Sequence, residues 1–163
     1  MQSLLNELEK ENITLKYAVI PKKFHTLGLY DNDGQGNAMI ILHKELKNCP
    51  RLLKCILSEE LGHHFTSVGK TFYKAANCCF WQLNHIKAEL KALKWSAFRL
   101  IPEDKLNFAV QNEKLTTIYE LEEYFNVTRE LMLFRLRYKK NIDFLCLQQL
   151  IIEEDNYIKE LLG

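Results

Sequence analysis

No stretch of the chain approaches the roughly 20 consecutive apolar residues that a membrane span requires. The first ten residues, Met1 to Lys10, are polar and acidic, whereas a secretory leader places a basic segment before an apolar core, so no signal peptide is expected. Net charge is nearly missing too. The 22 lysines and arginines against 21 aspartates and glutamates leave +1, which supplies no global field for holding DNA or an anionic membrane. Nucleic-acid binding would have to rest on a local patch. The five cysteines, Cys49, Cys55, Cys78, Cys79 and Cys146, are odd in number and contain no Cys-x-x-Cys pair. That spacing indicates neither a disulfide framework nor a cysteine-rich zinc site. Reduced thiols in a cytoplasmic protein are the expectation.

What is present is the profile of an ordinary globular chain, 47% hydrophobic and 26% charged, at a length suited to one well-packed domain. Residues 3–11 read as a short helix. Ile13 to Ile20 alternates loosely and stops at Pro21, as an edge strand does. Two short apolar runs, His25 to Tyr30 and Ala38 to His43, flank Asp31-Asn32-Asp33-Gly34-Gln35-Gly36-Asn37, a hairpin signal. Pro50 suits the first position of a helix that carries Leu52, Leu53, Ile56, Leu57 and Leu61 at helical spacing to about Phe65. A polar loop near Ser67 to Lys70 precedes a long helix from Phe80 to Leu100. Its apolar stripe is Leu83, Ile86, Leu90, Leu93, Ala97 and Leu100, and Pro102 closes it. The remainder reads as helical: Glu103 to Gln111, Leu115 to Phe125, a helix capped by Thr128 that reaches Tyr138, and Asp143 to Leu161. The expected architecture is α+β, with residues 1–110 as a core and 111–163 as a helical part packed on it.

The strongest chemical signal is Glu59-Glu60-Leu61-Gly62-His63. In the pattern H-E-x-x-H, side chains at i and i+4 share one helical face and bind zinc, and the Glu between them takes a proton from water. His63 holds the second ligand position and Glu60 the catalytic one, while Glu59 stands where the first His belongs. These residues continue the core-facing stripe, and buried carboxylates are costly unless paired, protonated or bound to a cation. The same residues alone read equally well as an acidic–histidine turn exposed near a helix end.

The chain resembles the ImmA/IrrE metallopeptidases in Gly28-Leu29-Tyr30, in Ile40-Ile41-Leu42, in the run from Lys54 to Thr66, in Lys87 to Ala97, in Leu100-Ile101-Pro102 and in Glu120 to Thr128. The blocks occur in order over most of residues 28–138. The resemblance implies a zincin-like fold, a small antiparallel sheet beside an active-site helix pair, and a cytoplasmic zinc-dependent endopeptidase. It also implies a protein substrate, a helix–turn–helix repressor of a prophage or mobile element. By position Glu60 takes the general-base role, and His63 and Glu89 take ligand roles. Glu59 replaces the first His, and a carboxylate oxygen is itself a zinc ligand. Ala92 and Ser96 share the face of Glu89 and leave room for a neighbouring helix; the alternative is a surface Glu paired with a neighbouring lysine. His85, four residues before Glu89, is the alternative source of imidazole. His64 points away from His63 and suits packing; His25 and His43 have no partner in the local sequence, and Cys55 reads as a small buried residue.

Ile118, Leu121, Phe125 and Val127, followed by Arg129, Arg135, Arg137, Lys139 and Lys140, resemble a helix–turn–helix with phosphate-binding cations. A DNA-binding regulator is therefore the rival function. Glu120, Glu122, Glu123 and Glu130 offset those cations and argue against direct nucleic-acid binding. A metal-free pseudopeptidase acting by binding is the third possibility.

Overall fold

A computed structural model describes the backbone of residues 1–66 and 79–138, and all of their side chains except those of 79–85. The loop expected near Ser67, the helix expected from Asp143, Lys139, Lys140 and the side chain of His85 lie outside the described residues. Within them, α1 (Gln2–Lys10) leads into β1 (Ile13–Ala18). A short 3-10 turn at Lys22–Phe24 precedes β2 (Gly28–Asn32) and β3 (Ala38–His43). The helices α2 (Pro50–Thr66), α3 (Cys79–Leu100), α4 (Glu103–Gln111), α5 (Ile118–Phe125) and α6 (Arg129–Arg137) follow. The fold is α+β, as the sequence indicates.

The sheet corrects one expectation. Its order is β1-β3-β2, with β2 and β3 antiparallel across the hairpin but β1 parallel to β3, so it is mixed rather than antiparallel. The long connection from Ala18 to Gly28 carries the chain over to the far edge before β2 begins, leaving the centre for β3. Parallel pairing of that kind needs a crossover rather than a tight turn. Both β1 and β2 are edge strands, and the alternation of β3 buries Ala38, Ile40 and Leu42 on one face. These three join Leu4 and Leu8 of α1, Ile13, Tyr30, and Leu53, Leu57 and Leu61 of α2 in one core. Arg99 of α3 ties α1 to this core, donating from Nε and Nη2 to Glu7 Oε1 at 3.0 and 2.8 Å.

The contact between α2 and α3 is unusually close. A Cβ built on Gly62 would lie 2.9 Å from the backbone Cα and C of Ala92, and Ser58, Ala92, Ser96 and Ala97 are fully buried. The small residues after Glu89 thus serve the approach that the sequence suggests. The same geometry breaks the apolar stripe expected on α3: Ala97 is buried and Leu100 packs on the core, but Ile86 and Leu90 are 54% and 46% exposed. At a close crossing the buried row must be small, so the larger residues turn outward. Gly62→Val is expected to cost about 2–3 kcal/mol through overpacking against backbone that has nowhere to go, measurable as a lower denaturation midpoint at unchanged m-value.

The chain divides between Leu100 and Ile101 into two compact units, ten residues earlier than the sequence suggests, which groups α4 with the C-terminal helices. Thr117 opens α5 with a capping box in which its hydroxyl accepts from Glu120 N and the Glu120 carboxylate accepts from Thr117 N. That cap starts the helix three residues later than its apolar spacing implies. Thr128 caps α6, as expected, accepting from Leu131 N.

Candidate active site

The site forms because one helix places three polar residues next to its own core stripe. On α2, Glu60 and His63 are buried among Leu57, Leu61 and Gly62, at 6% and 8% exposure, and Glu59 is half-buried beside them. Two features make room for Glu60. A Cβ on Gly28 of β2 would stand 2.9 Å from the Glu60 carboxyl carbon and 2.7 Å from Ile56 Cγ2, so any larger residue would displace the carboxyl from where it meets the strand. The backbone N–H of Tyr30, two residues along β2, donates to that carboxyl.

Tyr30 also locks the geometry from its other end. Its hydroxyl lies 3.0 Å from His64 Nδ1 and accepts from Asn32 Nδ2 at 3.0 Å, while His64 Nε2 faces Glu11 at 3.8 Å. His64 is thus the packing residue that its orientation predicts, tying the helix to β2 one position after His63. The Phe65 ring stacks on Trp95 of α3, with centroids 4.9 Å apart. Glu89 reaches across from α3, its Oε2 3.2 Å from His63 Nε2.

Burial governs the electrostatics. It drives the Glu60 carboxyl up to about 8; the neighbouring His63 and the Tyr30 N–H pull it down, and Glu59 and Glu89 push it further up. Glu59 is raised by burial and by the charge of Glu89, with His63 opposing. For His63, burial acts downward. The hydrogen bond and charge of Glu89 and the charges of Glu60 and Glu59 outweigh it, leaving the imidazole above its ordinary range. Three carboxyl groups and one imidazole therefore share a cleft that favours cations, protons included.

The cleft encloses about 510 Å³ and is lined by Glu59, Glu60, His63 and Glu89 together with Gly28, Leu29 and Ile56. All four residues expected at the site face this one space. His63 and Glu89 are in hydrogen-bond contact, at a separation that a shared ion would also accept. Ligands about 2.0–2.1 Å from one tetrahedral ion stand about 3.3–3.4 Å apart, close to the 3.2 Å between His63 Nε2 and Glu89 Oε2. The third donor is not gathered: among the described residues, no three His, Cys, Asp or Glu side chains converge closely enough to hold a metal ion.

One part of the cleft escapes a reading of the sequence. Lys23, Phe24, His25 and Thr26 line it; His25 falls outside β2, in a left-handed conformation (φ 49°) that ends the 3-10 turn. The signal was the compact basic–aromatic run after Pro21, which period-2 alternation does not detect. His43 ends β3 and accepts from Glu45 N, away from the cleft lining. Cys55 is buried, as expected.

Two cations of the second motif, Arg135 and Arg129, have structural partners. Arg135 is fully buried, donating from Nε to the Ile101 carbonyl at 2.9 Å and pairing with Glu103. Arg129 faces Glu122 at 3.5 Å. Arg135 is therefore a tie within the C-terminal unit, and no phosphate reaches it. Arg135→Ala is expected to destabilise by about 2–4 kcal/mol through a cavity and an orphaned carbonyl. Exposed Arg137→Ala should stay within about 0.5 kcal/mol; thermal melts of the two variants separate these outcomes.

Compared with known proteins, the chain matches no family model, no curated protein and no solved structure.

Proposed function

We propose that the chain is a zinc-dependent endopeptidase of the ImmA/IrrE kind, with a zincin-like site, whose substrate is a transcriptional repressor. The observation that carries the reading is the placement of Glu60. A carboxyl is buried against a glycine and a strand N–H, beside an imidazole and a carboxylate whose donor atoms stand 3.2 Å apart. Structural carboxylates are rarely buried among other carboxylates without a cation, and the cleft gives this one access to a ligand.

His63 and Glu89 would hold the metal, and Glu59 is the carboxylate placed to join them from the same cleft. When bound, zinc supplies Lewis acidity that polarises a carbonyl and acidifies water. Glu60 accepts the proton from the attacking water and delivers it to the departing amine. Its high proton affinity suits both tasks, because a base with a pKa near the working pH gives up its proton as readily as it takes it. Tyr30 N–H and Gly28 hold the carboxyl in place, and the apolar residues around Glu60 exclude bulk water.

The test is the metal content of protein purified without added metal: one equivalent of zinc is expected, and protein that neither retains nor takes up zinc refutes the reading. The competing function is a metal-free pseudopeptidase, favoured by Glu59 in place of the usual His and by the third donor that does not converge. Glu59→His separates the two. It is expected to tighten zinc binding by about tenfold or more, since a shell with one fewer carboxylate is easier to assemble around one ion. If Glu59→Ala binds zinc normally while His85→Ala does not, His85 is the ligand in place of Glu59.

A further inference from the structure

The hydrolytic chemistry leaves the segment from Pro21 to Leu27 unused, yet it is fixed in place and its residues Lys23 to Thr26 line the cleft. Phe24 N donates to Pro21 O at 3.0 Å, His25 N to Lys22 O at 3.0 Å, and His43 N of β3 to Leu27 O at 2.8 Å. The Thr26 hydroxyl donates to Gly28 O at 2.9 Å. This backbone presents exposed side chains to the cleft. The Phe24 ring is 48% exposed, with Lys23 Nζ 5.3 Å from its centroid, so an ammonium and an aromatic surface form one composite lip. Leu29 and Ile56 extend the apolar part inward.

The opposing chemistry lies at the floor, where Glu59, Glu60 and Glu89 gather around His63. An anionic ligand side chain is attracted to Lys23, while a bulky apolar one finds Phe24, Leu29 and Ile56 beside it. A charged group beside an apolar surface sets both preference and register. The volume of about 510 Å³ lies in the range of about 300–1,000 Å³ typical of sites for ligands the size of a few residues.

We propose that the cleft selects polypeptide segments in which a bulky apolar side chain rests on Phe24, Leu29 and Ile56, with an acidic side chain within about two residues of it paired to Lys23. This rests on the reading that the cleft takes peptides, and it names which peptides. The full chain carrying Glu60→Gln, which binds without turnover, is panned against a random nonapeptide library on phage. Sequences pairing Phe, Leu or Ile with a nearby Asp or Glu are expected to dominate. Added Lys23→Glu should replace the acidic preference by a basic one, and Phe24→Ser should weaken the enriched peptides by about tenfold. Both residues are exposed, so unchanged melting curves certify the fold of the variants.

Enrichment without an acidic residue, an unchanged preference in Lys23→Glu, or no enrichment at all overturns the proposal. Cleavage is scored separately, by incubating the enriched peptides with zinc-supplemented wild-type protein. Peptides that show the preference and its reversal but remain uncut establish the subsite and refute the peptidase.

Discussion

Glu60→Gln is expected to lower peptide hydrolysis by about 10²–10⁴-fold, the usual contribution of a positioned general base, while leaving the fold and zinc content intact. Glutamine has the shape of the protonated carboxyl that burial already favours at this position. Its amide oxygen can accept from Tyr30 N–H, and its NH₂ fills the space beside Gly28 without a new contact. What it lacks is a lone pair able to take a proton from water. Single-turnover cleavage of a repressor substrate at saturating protein checks the rate, and zinc stoichiometry on the same sample checks the site. A variant that cleaves at near wild-type rate shows that Glu60 is not the base. A variant that loses zinc as well shows that Glu60 is a ligand, which moves the base elsewhere in the cleft.

Much of this arrangement is legible in the sequence because local rules and tertiary packing agree. Pro50 at a helix start, the turn residues after Tyr30 and the cap at Thr128 mark boundaries that packing does not override. The i and i+4 spacing of Glu59 and His63 likewise places them together on a helix whatever its surroundings. Three features depend on contacts distant in sequence and leave no local trace. The parallel pairing of β1 with β3 depends on where the chain re-enters the sheet after a nine-residue connection. The outward turn of Ile86 and Leu90 depends on Gly62, some 25 residues earlier, whose missing side chain selects small partners. Arg135 reads as a surface cation because periodicity registers only apolar residues, yet its neighbours supply a carbonyl and a carboxylate inside the unit. Gly28 is the instructive case at the site itself. A glycine opening a strand looks like a weak strand former, and only the Glu60 carboxyl pressed against it shows what the missing Cβ is for.

Zinc is expected to reverse the pH dependence of stability. In the metal-free protein, Glu60 holds its proton up to about 8, against an ordinary value of 4.5. The native state therefore binds that proton more tightly than the unfolded chain, and its contribution is fully present below pH 4.5 and lost as pH rises through 8. The loss approaches about 1.4 kcal/mol per pH unit for this one proton across the intervening window. His63, raised by Glu89 and its neighbours against the effect of burial, acts in the same direction, its contribution fading above its ordinary 6.5. Glu59, raised by burial and by Glu89, adds to the trend above 4.5. Binding to zinc requires the deprotonated forms of the ligands, His63 and the Glu59 and Glu89 carboxylates, so saturating zinc should stabilise little near pH 5 and increasingly toward pH 7.5. Urea midpoints at half-unit intervals, with zinc and with chelator, should give curves that diverge as pH rises. Glu60→Gln should make the metal-free curve shallower, leaving the slope due to His63 and Glu59. Parallel curves in the presence and absence of zinc would mean that the ion binds outside this cleft, and a metal-free curve that stays flat in the wild-type protein would mean that Glu60 is ionised where it lies.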